Sequence, residues 1–499
     1  MFRKVLIANR GEIAVRLIRA LRELGIASVA VYSDADRKAL HVRLADEAAH
    51  IGASPSSESY LRMDRIFEVA HTHGADAIHP GYGFLSENAE FAAACADHGV
   101  TFIGPPARAI RRLGSKTEAR RLAKQNGVPV VPGTEEPAAQ LDDARRVARE
   151  IGYPVMLKAA AGGGGKGMRR VDTEAELESA VRDASSEALR AFGSDEIYIE
   201  KLIVNPRHIE IQLIGDVHGN LIHLGERECS MQRRHQKVLE ECPSPLMRTR
   251  PELRDRMGEA AVKLARAAGY ANAGTAEFLA DDAGNFYFLE MNTRLQVEHP
   301  VTELVTGVDL VHLQLRAAAG EPLGLRQTDI RWQGAAIECR IYAEDPDHGF
   351  FPSPGRILHL TEPAGPGVRV DSGVYPGWEV PLDYDPMLAK LTAHAADRPA
   401  AIARLLRALH ECAVTGVTTN LSFFRDLLRD PEFAEGRLHT GFVAEFVERR
   451  PRYAPDTLLD RLAAAVAAVH TRDTEPERPA ADPLRYSRWA REGRRSMLR

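Results

Sequence analysis

Residues 286–300 read FYFLEMNTRLQVEHP and combine an aromatic-rich run with a polar residue at every second position from 290 to 298. Those polar residues are Glu290, Asn292, Arg294, Gln296 and Glu298. Side chains alternate between the two faces of an extended chain, so the five polar groups point the same way as far as the segment stays extended. An ordinary half-buried strand with one solvated face alternates in the same way, so the flanking sequence must separate the two interpretations.

The same stretch is the second half of a predicted β-hairpin, because an apolar GTAEFLA run and a turn-like DDAGN run precede it. If the loop takes four residues, Asp281 pairs with Phe286 and Glu277 falls opposite Glu290. Like charges directly across a ladder are destabilising, so we expect a cation between these two carboxylates. With Asn292 they form an oxygen donor set of the kind that Mg²⁺ binds alongside substrate phosphates.

Length and composition indicate a cytoplasmic, multidomain protein. The 499 residues leave room for about three domains of ~150 residues each. A net charge of −5 argues against a general nucleic-acid partner. The chain has no secretory leader pattern and no apolar run near ~18 residues, so we expect no membrane partner. The five cysteines contain no CxxC pair and are predicted to be reduced thiols: Cys95, Cys229, Cys242, Cys339 and Cys412.

Lysine is scarce, because only ten of the 65 basic residues are lysine. A chain that uses arginine so freely is expected to keep lysine partly where a compact ammonium is needed, with chance explaining about half of the ten. The ten positions are Lys4, Lys38, Lys116, Lys124, Lys158, Lys166, Lys201, Lys237, Lys263 and Lys390.

The N-terminal residues predict a doubly wound α/β domain. Residues 4–8 read as a buried strand, residues 11–24 as an amphipathic helix and residues 26–32 as a second strand. The intervening turn, NRGEIA, lacks the glycine spacing of a dinucleotide fingerprint, so NAD is not predicted. The glycine-rich loop at residues 79–88 follows another strand, where open α/β sheets bind ligands, although it also fits a simple tight turn.

A glycine tract marks the central region. Residues 153–159 predict a strand that carries Lys158, and AGGGGKG follows at residues 161–167. The tract is not a P-loop, because Gly167 stands where that motif needs Ser or Thr. Polyglycine is often a flexible linker, but the adjacent lysine favours a phosphate cradle and a lid that closes over nucleotide. Residues 196–203 predict another strand, whose Glu200–Lys201 pair suits either a hinge against an adenine edge or a surface ion pair.

Residues 226–241 read ERECSMQRRHQKVLEE and form a charged run. Such runs are usually solvated helix faces. This one contains Gln232, His235 and one of the scarce lysines, Lys237, so an anion-attracting cluster is the competing interpretation.

The C-terminal part is predicted to be strand-rich and then helical. The strands are predicted at residues 335–342, 355–359, 368–370 and 384–390, and the helices at 399–409, 421–428 and 457–469. Residues 474–483 read as a Pro/charge linker. The last sixteen residues carry six arginines and fit either a docking tail or a solvated terminus.

Together these motifs resemble biotin carboxylase, an ATP-grasp enzyme, over about residues 1–450. The matching stretches are IANRGEIAVR at 7–16, HPGYGFLSEN at 79–88, KAAAGGGGKGM at 158–168, NPRHIEIQ at 205–212, ERECSMQRRHQKVLEE at 226–241, EMNTRLQVEHPVTE at 290–303, ECRIYAEDP at 338–346 and YDPMLAKL at 384–391. The resemblance implies a mixed α/β and α+β chain. Its parts would be a doubly wound N-terminal domain (1–113), an ATP-grasp domain (114–330) with a mobile lid at about 131–203, a strand-rich C-terminal domain (331–450) and a tail with a helix, a linker and a basic end (451–499).

The resemblance also implies a role for individual residues. ATP would contact Lys116, Lys158, Gly163, Gly164, Gly165, Glu200, Lys201, Leu202, Ile203, His208, Gln232, His235, Glu277 and Glu290. Mg²⁺ or Mn²⁺ would be held by Glu277, Glu290 and Asn292. Bicarbonate would be bound by Lys237, Arg294, Gln296, Val297 and Glu298, and biotin would face Tyr82 and Arg340. The catalytic set would be Lys237, Arg294, Glu298 and Arg340.

The family's chemistry explains these residue types. Glu298 would deprotonate bicarbonate, which attacks the γ-phosphate of ATP and gives carboxyphosphate. Metal and cationic side chains would offset the spreading negative charge. A closed lid would keep carboxyphosphate from water until it yields CO₂. Phosphate or a base would then remove the biotin N1 proton, and Arg340 would stabilise the enolate.

The resemblance predicts several partners. No Met-Lys-Met segment, the family's usual biotin attachment site, occurs in the sequence, so biotin is expected on a separate carrier protein, beside a separate carboxyltransferase. A homodimer is expected. The acceptor fits an acetyl- or propionyl-type acyl-CoA carboxylase, or a two-subunit pyruvate carboxylase. Another ATP-grasp ligase should lack the Arg294/Gln296/Glu298 alternation together with Arg340, and a nucleotide-binding structural subunit should lack a metal ligand or the base.

Overall fold

The apolar residues of the first strand face two different helix layers, as expected for a buried parallel sheet. Val5 and Ile7 pack with the first helix, whereas Leu6 packs with Ile66 and Phe91 on the opposite side. The computed structural model describes residues 1–134, 141–159, 168–192, 196–450 and 457–474.

The N-terminal sheet has the order β3-β2-β1-β4-β5, and every pairing in it is parallel. Its strands are β1 (Lys4–Ile7), β2 (Ala27–Ser33), β3 (Glu47–Gly52), β4 (Ala77–His79) and β5 (Thr101–Phe102). The accompanying helices are α1 (Gly11–Glu23), α2 (Leu40–Leu44), α3 (Met63–His73), α4 (Ala89–Asp97) and α5 (Ala107–Gly114). Helices on both faces of a parallel sheet confirm the doubly wound prediction.

A smaller antiparallel sheet of order β7-β6-β8 follows, with its own core under two helices. Its elements, and the helix before them, are α6 (Lys116–Gln125), α7 (Leu141–Ile151), β6 (Val155–Ala159), β7 (Met168–Val171), α8 (Glu174–Phe192) and β8 (Ile197–Lys201). Lys158 lies near the end of β6, as predicted. The glycine tract with Gly163, Gly164 and Gly165 lies outside the described residues.

A large antiparallel sheet carries most of the predicted site residues. Its order is β13-β12-β9-β10-β11-β14-β21-β19. Its strands are β9 (Arg207–Gly215), β10 (Leu221–Arg233), β11 (Gln236–Cys242), β12 (Asn272–Ala280), β13 (Phe286–Asn292), β14 (Ala335–Tyr342), β19 (Val368–Ser372) and β21 (Met387–Ala395). The helices between them are α9 (Glu252–Ala268), α10 (His299–Thr306) and α11 (Leu310–Ala318).

Shorter elements complete the C-terminal part. The short strands are β15 (Glu344–Asp345), β16 (Phe351–Pro352), β17 (Gly355–Arg356), β18 (His359–Thr361), β20 (Glu379–Val380) and β22 (Ala413–Thr415). The single strand predicted at residues 355–359 is therefore wrong, because β17 pairs with β20 and β18 pairs with β22. The helices are α12 (Arg398–Glu411), α13 (Leu421–Leu427), α14 (Pro431–Glu435) and α15 (Phe442–Arg449).

Residues Met1–Arg449 form one compact unit. Residues Arg450–Arg499 form a second unit, in which the described part is helix α16 (Thr457–Thr474). Among the helices of the described residues, none has the length and hydropathy needed to cross a bilayer. The five cysteines are free and buried, in agreement with the sequence.

The charged run at residues 226–241 is a β-hairpin that is buried except at its tip, and not a solvated helix face. It forms the second half of β10 and most of β11, and Glu226, Arg227 and Glu228 are each at most 1% exposed. The solvated-helix interpretation is therefore excluded, because these charges pair with Arg254 on α9 and with Glu210 and Arg207 on β9, contacts that a local pattern does not reveal.

Candidate active site

Glu277 and Glu290 are direct partners across β12 and β13, as the hairpin count required. The regular register that we expected is wrong, however, because Ala280 and not Asp281 pairs with Phe286. Leu289 forms a β-bulge between the Phe278–Phe288 pair and the Glu277–Glu290 pair. This extra residue on β13 brings Glu290 opposite Glu277 despite the shifted start of the ladder. The two residues are therefore cross-strand neighbours.

Asn292 is the third predicted metal ligand, and its side chain forms hydrogen bonds with Glu277 and Arg294. Its amide nitrogen lies 2.8 Å from Glu277 Oε1, and its amide oxygen accepts a 2.8 Å hydrogen bond from Arg294. Glu290 lies 3.0 Å from the Lys116 ammonium. Two carboxylates and one amide within a single hairpin form a donor set suited to Mg²⁺ or Mn²⁺.

The Lys237 ammonium lies at the centre of three carboxylates. Its Nζ is 2.5 Å from Glu210, 2.8 Å from Glu277 and 2.8 Å from Glu298. Burial opposes the charged form, but the carboxylates raise the pKa of Lys237 well above its ordinary value. The lysine is therefore a permanent cation that joins Glu277, a predicted metal ligand, to the predicted base Glu298.

Glu298 is buried between Lys237 and Arg340, whose Nη2 lies 2.9 Å from the second carboxylate oxygen. Burial alone would raise the pKa of Glu298, but Lys237, Arg340 and Arg227 together lower it below its ordinary value. At neutral pH the carboxylate is therefore ionised, which is the form that a general base needs.

Arg340 also bonds Glu240, with 2.7 Å from its Nε to Glu240 Oε1. Burial raises the pKa of Glu240 to about 7, against the opposing effect of Arg340 and with a further contribution from Glu298. The guanidinium is thus shared by two carboxylates whose pKa values are shifted in opposite directions.

Strand β13 ends at Asn292, so the alternating polar residues that begin at Glu290 share one strand face only as far as Asn292. Beyond it the chain turns towards α10, which begins at His299 with Glu298 as its N-cap residue. The polar groups still converge: the Gln296 amide donates to Glu277 over 3.0 Å, and Arg294 Nε lies 2.9 Å from Glu87. They converge through a turn and not along one strand face.

A cavity of about 990 Å³ lies beside this cluster. Of the predicted ATP-binding residues, those that line it are Lys116, Lys158, Glu200, Lys201, Leu202, Ile203, His208, Gln232 and His235. Its apolar lining includes Met156, Phe288 and Phe350. His208 lies between the cavity and Glu277, because it lines the cavity and its Nε2 lies 3.0 Å from Glu277 Oε2. The cavity has the size and mixed lining typical of a nucleotide site.

Glu200 and Lys201 do not pair with each other in the way that a surface ion pair would require. The Glu200 carboxylate is 2.5 Å from both Lys158 Nζ and Arg120 Nη1. The Lys201 ammonium donates to the carbonyls of Gly152 and Tyr153. These contacts hold β8 against β6 and α6 at the edge of the cavity.

The turn between β10 and β11 brings His235 to the cavity in an unusual backbone conformation. Arg233 pairs with Gln236, so Arg234 and His235 form a two-residue loop in which both have positive φ, 50° and 68°. Non-glycine residues rarely adopt this conformation, and it concentrates at functional sites. Both residues line the cavity.

Tyr82 lies on the far side of Arg340. Its hydroxyl donates a short hydrogen bond to Glu12. Burial and Glu12 raise the pKa of Tyr82 well above its ordinary value, and Arg340 opposes them. The phenol is therefore neutral and lies within the electrostatic influence of the Arg340 guanidinium.

Sequence reasoning missed Arg227, a fully buried guanidinium next to the site. It bonds Glu210 (2.5 Å), Gln212 (2.7 Å), Thr275 (3.2 Å), Gln296 (2.7 Å) and Thr302 (3.0 Å). Glu87, Arg120, Glu210 and Glu240 were missed in the same way. All except Arg120 lie within the quoted motifs, but no pattern in the sequence showed what they contact.

Family models match three consecutive parts of the chain. "Biotin carboxylase, N-terminal domain" matches residues 1–110, "Carbamoyl-phosphate synthase L chain, ATP binding domain" matches residues 115–326, and "Biotin carboxylase C-terminal domain" matches residues 338–445. These three matches cover most of the chain.

The relatives of this chain include subunits of two carboxylases. A pyruvate carboxylase subunit of Methanothermobacter thermautotrophicus is 55% identical over 446 residues, which are 89% of this chain and 90% of that protein. The propionyl-CoA carboxylase alpha chain of Ruegeria pomeroyi is 50% identical over 492 residues, 94% of this chain and 72% of that one. A solved biotin carboxylase domain dimer of the Hydrogenobacter thermophilus 2-oxoglutarate carboxylase, in complex with MgADP, ADP and bicarbonate, has a TM-score of 0.82 at 48% identity and covers 91% of this chain and 99% of its own.

Proposed function

This chain belongs to the biotin carboxylase family of ATP-dependent carboxylating ligases, and we propose that the Lys237 cluster carries out the first half-reaction of an acyl-CoA carboxylase. The observation that carries the proposal is the contact of one ammonium with three carboxylates, one of which, Glu298, also contacts Arg340. This arrangement supports the proposal because the predicted base Glu298 contacts both Lys237 and the predicted biotin-binding Arg340, and Lys237 also contacts the predicted metal ligand Glu277.

ATP, a divalent metal ion and biotin on a carrier protein are the cofactors of the family. In this chain the nucleotide would occupy the 990 Å³ cavity. Glu277, Glu290 and Asn292 fit Mg²⁺ because two carboxylates and an amide lie on the paired strands of one hairpin. The ion would neutralise phosphate charge there during transfer.

Bicarbonate would bind between Arg294, Gln296 and Lys237, beside the ionised Glu298. Glu298 removes its proton, and the resulting oxyanion attacks the γ-phosphorus of ATP with ADP leaving. Lys116 and Lys237 offset the charge that spreads over the transferred group. The product, carboxyphosphate, splits into CO₂ and inorganic phosphate.

Biotin would enter on the Arg340 side. Loss of its N1 proton to the phosphate leaves an enolate, whose oxygen the guanidinium stabilises while N1 attacks CO₂. Arg340 is held for this task by Glu240 and Glu298, so it is oriented before biotin arrives.

The acceptor of the second half-reaction is set by the partner proteins. We propose a separate biotin carrier and an acetyl- or propionyl-type carboxyltransferase, with a dimer of this chain. Support comes from the propionyl-CoA carboxylase relative, whose alignment spans 94% of this chain. The pyruvate carboxylase relative keeps a two-subunit pyruvate carboxylase as the alternative.

Purified protein tests the proposal directly. We expect ATP cleavage that depends on bicarbonate and is stimulated by free biotin. ATPase activity that is indifferent to both would contradict it. Affinity capture of the carrier and carboxyltransferase, followed by assay with acetyl-CoA, propionyl-CoA and pyruvate, identifies the acceptor.

A further inference from the structure

Lys390 is a fully buried lysine on β21 that is outside the catalytic set described above. Its ammonium donates a 2.8 Å hydrogen bond to the backbone carbonyl of Val297, the residue before the predicted base. The same ammonium lies 3.2 Å from Glu12 on α1 and 4.0 Å from Asp371 on β19. Lys390 thus connects helix α1, strand β19 and the predicted bicarbonate-binding segment at Val297.

The strand register places a second cation, Arg340, next to Lys390. Lys390 lies directly opposite Arg340 in the β14–β21 ladder, and opposite Asp371 in the β19–β21 ladder. Two cations facing each other in a ladder repel unless carboxylates separate them. Here each cation has its own carboxylates, with Glu298 and Glu240 on Arg340 and with Glu12 and Asp371 on Lys390.

The two cations hold consecutive residues of one turn. Arg340 bonds the side chain of Glu298, and Lys390 bonds the carbonyl of Val297. That carbonyl belongs to the planar peptide that joins Val297 to Glu298. Fixing the carbonyl therefore fixes the peptide plane from which the Glu298 side chain extends.

We propose that Lys390 is a positioning residue for the bicarbonate site, which orients Glu298 through the Val297 peptide. This inference rests on the bicarbonate site proposed above. A lysine suits the task because a point-like ammonium can satisfy a carbonyl and two carboxylates at once, whereas a planar guanidinium requires a wider space. Neither Glu12 nor Asp371 touches the predicted base, so Lys390 is the link between them and the turn.

The test uses Lys390→Met in the full chain, combined with Glu12→Gln. The single variant leaves the buried Glu12 carboxylate without a cation, which is strongly destabilising, whereas Asp371 keeps its 2.9 Å ion pair with Arg369. The double variant restores the balance of charge but not the hydrogen bond to Val297. Because displacement by about 1 Å can cost ~10²-fold in rate, we expect kcat/KM for bicarbonate to fall by about 10–100-fold in the double variant. The KM for ATP should stay within about twofold, since Lys390 does not line the nucleotide cavity.

Arg398→Met is the matched control. Arg398 is also buried and pairs with Glu241 while donating to the carbonyls of Ala434 and Phe433, but it contacts no predicted bicarbonate residue. We expect this variant to lose stability and to keep the wild-type ratio of the two KM values.

Three outcomes overturn the inference: a folded double variant with wild-type kcat/KM for bicarbonate, a parallel change of both KM values in the double variant and in Arg398→Met, or a double variant that does not fold. Bicarbonate-independent ATP cleavage by the wild-type protein would instead contradict the proposed function itself. The two failures are therefore distinguishable.

Discussion

Glu277 lies opposite Glu290 because Leu289 forms a β-bulge between Phe288 and Glu290. Without the extra residue, a regular ladder would place Leu289 opposite Glu277 and turn Glu290 to the other face of the hairpin. The bulge also directs Leu289 into the nucleotide cavity. One inserted residue thus sets both the carboxylate pair and part of the cavity wall.

Glu290→Gln should weaken metal use more than nucleotide binding, because it removes one of the two carboxylates of the donor set. We expect the Mg²⁺ concentration for half-maximal ATP cleavage to rise by about tenfold, a loss of roughly 1.4 kcal/mol in binding free energy. Titration of activity with Mg²⁺ at saturating ATP measures this change. An unchanged midpoint would exclude Glu290 as a ligand.

Glu298→Gln should lower the turnover number by about 10²–10⁴-fold, the usual contribution of a general base. Calorimetric titration with ATP should give a dissociation constant close to that of the wild-type protein, because Glu298 does not line the nucleotide cavity. A large loss of ATP affinity would mean that the base is misassigned.

Glu241→Gln is the control for this substitution. Glu241 is buried on β11 and pairs with Arg398, remote from Lys237. It should lower the melting temperature and leave turnover within about threefold of the wild-type value, a change of roughly 0.6 kcal/mol in barrier. Equal loss of turnover in both variants would attribute the effect to stability.

Glu240→Gln should change how stability depends on pH. Burial raises the pKa of Glu240 from the ordinary 4.5 to about 7. Between these values the folded chain retains a proton that the unfolded chain has released, so this group favours folding at low pH and that contribution is lost as the pH rises through 7.

The melting temperature of the wild-type protein, relative to that of Glu240→Gln, should therefore fall from pH 5.5 to about 7.5 and then level off. Thermal unfolding at matched ionic strength from pH 5.5 to 8.5 measures the difference. A constant difference across this range would mean that Glu240 does not hold a proton near neutral pH.

Local patterns were sufficient for most of the N-terminal sheet and for the predicted metal-binding hairpin, but strand β3 was not predicted. The apolar run that became β1 and the turn composition at residues 281–285 are local properties. The pairing of Glu277 with Glu290 was predicted correctly, but from a regular register, and the bulge at Leu289 compensated for a one-residue error in the count.

Buried charge was not predictable from local patterns. The run that became the β10–β11 hairpin looks solvated because charged residues are usually exposed. Arg227 is buried because partners on other strands, on helix α10 and in the turn before it satisfy its donors, and those partners lie up to 75 positions away in sequence. Lys390 is similar, since its contacts with Glu12 and Val297 depend on tertiary packing.

The most direct measurement follows the oxygen atoms of bicarbonate. If bicarbonate attacks the γ-phosphorus, the bridging oxygen of carboxyphosphate stays with phosphorus when CO₂ leaves. Turnover with ¹⁸O-labelled bicarbonate, followed by mass spectrometry of the inorganic phosphate, should therefore find one labelled oxygen per phosphate released. Unlabelled phosphate would mean that water attacks ATP, and it would contradict the role of Glu298, Lys237 and Arg294 in activating bicarbonate.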